Sequence, residues 1–205
     1  NTGDDLNMCV SYGSAKKPEG LIQPIARKGA RFATFSYLNT RSDDVDGGVL
    51  RSPMKYLIAQ SGSGSANEWD VNTGVLALNP EGASEGNSGV INFLNKFGDR
   101  SGYKDTDPSS ELYYAAMRYL RIGDSHITNG AVYLPSNITE AQKDGFLVQR
   151  TWRDPLKSDF DTDSKEPMCR PNMIMWIGDT NTHYDNNLPN WNPGGGSANV
   201  GTNKS

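Results

Sequence analysis

Histidine and cysteine are scarce in this chain, two of each among 205 residues: His126, His183, Cys9 and Cys169. Four such residues, so widely scattered, exclude a structural zinc site. A Ser-His-Asp hydrolase would have to use one of the two histidines, and no G-x-S-x-G turn accompanies either. No apolar run approaches the roughly 18 residues of a membrane span. No block of about five like charges occurs either. The 20 basic and 24 acidic residues are interleaved and leave a net charge of −4, so the electrostatic footprint that grips nucleic acid or anionic lipid is missing. The 22 glycines and 11 prolines stay below the roughly 25–30% that marks a low-complexity chain. A Cys9–Cys169 bridge requires an oxidising compartment. Two unpaired small apolar residues, or partners in a longer polypeptide, are the other reading, and Asn1 reads as the middle of such a polypeptide.

What is present is a loop-heavy folded domain with 19 asparagines. Lys17 to Gly29 carries Leu21, Ile22 and Ile25 on one helical face, with Gly29 as the stop. Arg31 to Leu38 alternates in the manner of a strand, and Val49 to Ala59 reads as its hairpin partner. Pro53 then belongs at an edge or a bulge. Residues 60–89 read as loop. Val90, Ile91, Phe93, Leu94 and Phe97 recur at helical spacing and end at Gly98. A helix over 107–121 follows, with Asp107 as its cap, Pro108 in its first turn, and Leu112, Ala115, Ala116, Tyr119 and Leu120 as its apolar stripe. Residues 123–171 are irregular, with a strand-like piece at Phe146 to Thr151. Asn172 to Ile177, apolar on both faces, reads as a buried strand of a parallel sheet.

Asp179, at the carboxyl end of that run, stands where open α/β sheets bind ligands. With Thr180, Asn181 and Thr182 it suits a hard divalent cation such as Mg or Ca; the plainer alternative is a carboxylate capping a turn. Asp159, Asp161 and Asp163 form a D-x-D-x-D run resembling the start of a calcium loop. Ser164 and Arg170 stand where an EF-hand needs Gly and Glu, so a solvated acidic loop is the commoner outcome. The Asp43, Asp44 and Asp46 cluster reads the same way. Asn137-Ile138-Thr139 matches a glycosylation pattern, weakly.

Five segments in order resemble one family: Lys17 to Gln23, Gly47 to Tyr56, Gly89 to Gly98, Tyr103 to Leu120, and Ile177 to His183. They are similar to the amino-terminal region of PilC/PilY-type proteins of bacterial type IV pili, from about residue 9 to 190. The resemblance implies a non-enzymatic, extracellular protein at the pilus tip, acting in adhesion and pilus assembly. Its partners would be pilins or minor pilins, the rest of its own polypeptide, and a host or surface receptor. It implies an α/β, von Willebrand factor A-like fold over 1–190, a mostly parallel sheet with helices on both faces and long loop insertions, and a Gly/Asn-rich tail over 191–205. In such a fold a cation is held by D-x-S-x-S, by a Thr before a helix, and by an Asp after a strand. Asp179 matches the last, and Thr106 with Asp107 lies near the second. No D-x-S-x-S occurs in the chain; it would belong upstream of Asn1. Two other readings remain: a metal-dependent nuclease or phosphatase, suggested by Gly178-Asp179-Thr180-Asn181 but lacking the late Asp-His pair, and a secreted glycan-binding module, suggested by Trp69, Trp152, Trp176 and Trp191.

Overall fold

The structure, a computed structural model, describes residues 9–39, 48–59, 66–104, 107–121, 137–156 and 171–178. It opens with a hairpin of β1 (Cys9–Tyr12) and β2 (Ala15–Pro18), paired antiparallel with Tyr12 opposite Ala15. The two-residue loop carries Gly13 at φ +60°, the conformation that short hairpin turns demand. Helix α1 (Ile22–Arg27) follows. Pro24 is tolerated because it lies in the first turn, where a backbone N–H has no intrahelical acceptor. Gly29, at φ +85°, ends the helix and donates its N–H to the Ala26 carbonyl at 2.9 Å.

Strands β3 (Arg31–Ser36) and β4 (Val49–Tyr56) form the central antiparallel pair. Its register runs from Arg31 opposite Tyr56 to Ser36 opposite Val49, with shifts between Phe32 and Thr34 and between Thr34 and Phe35. The extra residues fall on β4, around Pro53 and at Arg51. The bulge is where a proline, which cannot donate to the ladder, does least harm. Gln149 donates its N–H to the Leu50 carbonyl at 2.8 Å, a single antiparallel bridge alongside β4.

Successive residues of β3 feed different clusters. Phe32 packs with Ala26, Leu57, Trp69, Val90 and Ile91, and so against α1 and α2 (Val90–Lys96). Ala33 and Phe35 pack with Leu50, Ala115, Tyr119 and Trp152, and so against α3 (Ser109–Leu120). There the rings of Phe35, Tyr119 and Trp152 meet edge to face, with centroids 5.5–5.6 Å apart. A third cluster joins Leu38, Val49 and Val148. The short α4 (Glu140–Lys143) starts in a capping box: Thr139 and Gln142 each satisfy the other's backbone N–H. Because α3 packs on β3, the parts of the chain before and after residue 104 share one core.

The expected von Willebrand factor A-like architecture does not hold. Among the described residues the strands form two separate two-stranded sheets, both antiparallel, and no parallel ladder occurs. Residues 172–178, expected as a central buried strand, belong to no strand and are largely exposed. Their apolar character is real, but a short run that is apolar at every position has no face pattern to say whether it is covered. Asp107 also departs from expectation. Pro108 holds the cap position, no side-chain cap bond forms, and the Asp107 carbonyl accepts the N–H of Ser109 at 2.7 Å. The polar stretch ahead of Glu19 contains β1 and β2.

The Tyr119 hydroxyl accepts the Met54 N–H at 2.9 Å, at the β4 bulge. Burial pushes its pKa from 10 up to about 12, which the Met54 bond only partly offsets. The folded protein thus holds this proton more tightly than the unfolded chain does. This part of its stability is whole below about pH 10 and is lost as pH rises toward 12, a loss of about 2–3 kcal/mol. Tyr119→Phe leaves the Met54 N–H unpaired and should cost about 1–3 kcal/mol at neutral pH. In urea titrations from pH 8 upward, that gap should close between pH 10 and 12; a gap constant with pH would refute the assignment.

Candidate functional site

The cation position expected from sequence is not assembled among the described residues. Of its members only Asp107 is described, half-buried before α3. Thr106, Asp179, Asp159, Asp161 and Asp163 lie outside the described residues, as does Cys169; Cys9 is a half-buried free thiol. No group of three or more His, Cys, Asp and Glu side chains that could hold a metal ion occurs among the described residues.

Two other arrangements stand out. The first is a set of charged side chains turned inward. Lys55 of β4 reaches Glu68 and Glu81, each at 2.9 Å, with all three side chains at least nine-tenths buried. The Glu68 carboxylate also receives the N–H groups of Val90 and Ile91, both at 2.8 Å, which fixes the start of α2. Gly89 makes room for it: a Cβ there would lie 2.6 Å from Pro80 Cγ and 3.0 Å from Glu68 Oε1. Arg51, also buried, donates from Nε to Ser36 Oγ at 2.7 Å and through its two terminal nitrogens to the Lys143 and Tyr37 carbonyls at 2.9 and 2.7 Å. The Asp144 carboxylate, on a residue at φ +55°, collects the N–H groups of Gly98, Arg100 and Ser101. Near the hairpin, Tyr12 and Arg27 both donate to Glu19, and the guanidinium lies 5.6 Å from the Trp69 ring centroid. The Arg27 hydrogen bond holds the Glu19 carboxyl below the ordinary glutamate range. Most of these groups find partners within the fold, while Glu81 Oε2 is buried with none among the described residues.

The second arrangement faces outward. Met173, Met175 and Ile177 are 89, 73 and 74% exposed, whereas Ile174 and Trp176 between them are more covered. That alternation is the period of an extended chain. It presents three large apolar side chains on one side, with no charged residue from 171 to 178. Leu21 just before α1, Ile25 of α1, and Val71, Val75, Leu76 and Leu78 of the loop after β4 add further exposed apolar groups. Large apolar side chains exposed together on one side are a feature that protein contacts can use. The sequence shows the apolar run of 172–177 plainly; what it lacks is any mark of which side is bare. Replacing Met173, Met175 and Ile177 with Ser should change folding stability by no more than about 0.5 kcal/mol each. Equilibrium unfolding of each variant checks this. A loss of about 2 kcal/mol or more, as for a core methionine, would mean the segment is buried.

Residues 104–205 match the family described as PilY1 homolog, second domain. Over 207 aligned positions the chain is 37% identical to the type IV pilus biogenesis factor PilY1 homolog of Xylella fastidiosa (strain Temecula1 / ATCC 700964), covering 88% of this chain and 16% of that protein. The chain thus spans about a sixth of that relative's length. No solved structure matches it. Among the described residues no helix is long and apolar enough to cross a membrane. The exposed run at 171–178 falls within the residues that match that domain family, and most of the chain is similar in sequence to a PilY1 homolog.

Proposed function

We propose that this chain is a binding domain of a type IV pilus biogenesis factor, acting in pilus assembly and in adhesion at the pilus tip, outside the cell and without catalysis of its own. The observation that carries the reading is the 37% identity to a protein of that description over most of the chain. The structure supports it in kind. The buried charged side chains Lys55, Glu68, Arg51 and Asp144 find partners inside the fold, and the apolar surface on view suits contact with other proteins, whether pilins, minor pilins or the remainder of a longer polypeptide. A host or surface receptor would be bound through the same sort of surface.

In a piliated bacterium that carries this gene, in-frame deletion of the coding segment should lower both surface pili and attachment, and restoring the segment should recover both. Replacing Met173, Met175 and Ile177 with Ser together should reproduce the deletion while leaving the protein folded and present at normal level. Pilus counts by electron microscopy and attachment assays read the outcome. Normal pili and normal attachment after deletion would sink the proposal.

A further inference from the structure

The inward-facing ion set at Lys55 has an unusual composition: one ammonium and two carboxylates, sealed from water. Side-chain exposures are 8% for Lys55, 1% for Glu68 and 10% for Glu81. Lys55 Nζ stands 2.9 Å from Glu68 Oε1 and 2.9 Å from Glu81 Oε1. The Ser52 hydroxyl also donates to Glu81 Oε1, while Glu81 Oε2 is buried with no hydrogen-bond partner among the described residues. Glu68 is flanked by Leu57 and Trp69, both fully buried. Gly89, at φ +97°, keeps any side chain off the Glu68 carboxyl carbon; a Cβ would lie 3.1 Å from it.

This is the equipment for a condensation. An amine is held against a carboxyl group, as proximity catalysis requires. Two backbone N–H groups, from Val90 and Ile91, point at the carboxyl oxygens, where negative charge would develop on attack. A second carboxylate touches the amine and can move its protons. Charges taken out of water carry a penalty of several kcal/mol each, and joining an ammonium to a carboxylate as an amide removes two of them.

We propose that Lys55 and Glu68 form an intramolecular isopeptide bond, with Glu81 relaying the protons. Nζ of Lys55 adds to Cδ of Glu68, and the Cδ–Oε1 bond breaks. The ammonium gives up two protons, both passed through Glu81 to Oε1, which departs as water. Oε2 stays as the amide carbonyl, held by the Ile91 N–H. One ammonium and one carboxylate become one amide and one water, with no change of oxidation state and no co-reactant. The bond would staple β4 to the segment that anchors α2.

Mass spectrometry of the purified full chain tests this directly. The intact protein should be lighter by one water than its sequence requires. Trypsin should fail to cut after Lys55 and should release residues 52–96 as one peptide, also lighter by one water, whose fragments place the loss at Lys55 and Glu68. Lys55→Arg and Glu68→Gln should restore full mass. Glu81→Gln keeps the shape of the side chain and should slow linkage at least tenfold. Full intact mass together with cleavage after Lys55 in the parent protein would overturn the proposal without reliance on any variant. Equal linkage in Glu81→Gln would overturn the assignment of Glu81.

Discussion

Lys55 leaves β4 for the interior and meets two carboxylates there, and the placement of α2 follows from that meeting. Glu68 bonds Lys55 on one side and the first two N–H groups of α2 on the other. The helix therefore begins where the sheet dictates. An apolar contact could slide; a carboxylate shared between an ammonium and two amides cannot, because each group left unpaired in the interior would cost several kcal/mol. Gly89 is the steric condition for this arrangement, since a side chain at that position would fall on the carboxylate.

The irregular ladder of β3 and β4 is the backbone counterpart of the same economy. A two-stranded sheet is marginal alone, and here its bulges turn into tethers. The Arg51 bulge sends a guanidinium to carbonyls at Tyr37 and Lys143, joining the end of β3 to the end of α4. The Pro53 bulge leaves the Met54 N–H out of the ladder, and Tyr119 of α3 takes it. Each departure from regular pairing thus fixes a separate element against the sheet. The apolar clusters supply cohesion, and the polar tethers set where the cohesive pieces sit.

Much of the local structure was legible in the sequence. The strands over 31–38 and 49–59, the helical spacing from Val90 to Phe97 and the stripe from Leu112 to Leu120 appear within a few residues of expectation, because periodicity and glycine stops are local signals. What was not legible is long-range. Glu68 sits in a Ser, Gly and Asn-rich stretch that reads as plain loop, and nothing near it announces a lysine thirteen positions earlier or an amide pair twenty-two later. The β1–β2 hairpin hides in a polar segment, and the side-chain contacts of Tyr12 with Glu19 and Arg27 join residues seven and fifteen positions apart. The parallel sheet was inferred from one apolar run and from the family resemblance, and strand direction is not written in either. The candidate cation residues fall mostly outside the described residues, and Asp107 contributes its carbonyl, not a capping carboxylate, to the start of α3.

The apolar run at 171–178 shows why composition misleads there. Six residues from Asn172 to Ile177 with no charge describe equally a strand enclosed by its own domain and one waiting for another surface. Burying each exposed Met or Ile would be worth about 1.5–3 kcal/mol, so the chain gains nothing by displaying them unless that free energy is realised in a contact. Among the described residues Met173, Met175 and Ile177 remain largely exposed, so that free energy is not realised within the described fold. A surface that covered Met173, Met175 and Ile177 would gain that free energy, which is the physical ground for the binding role proposed for this run.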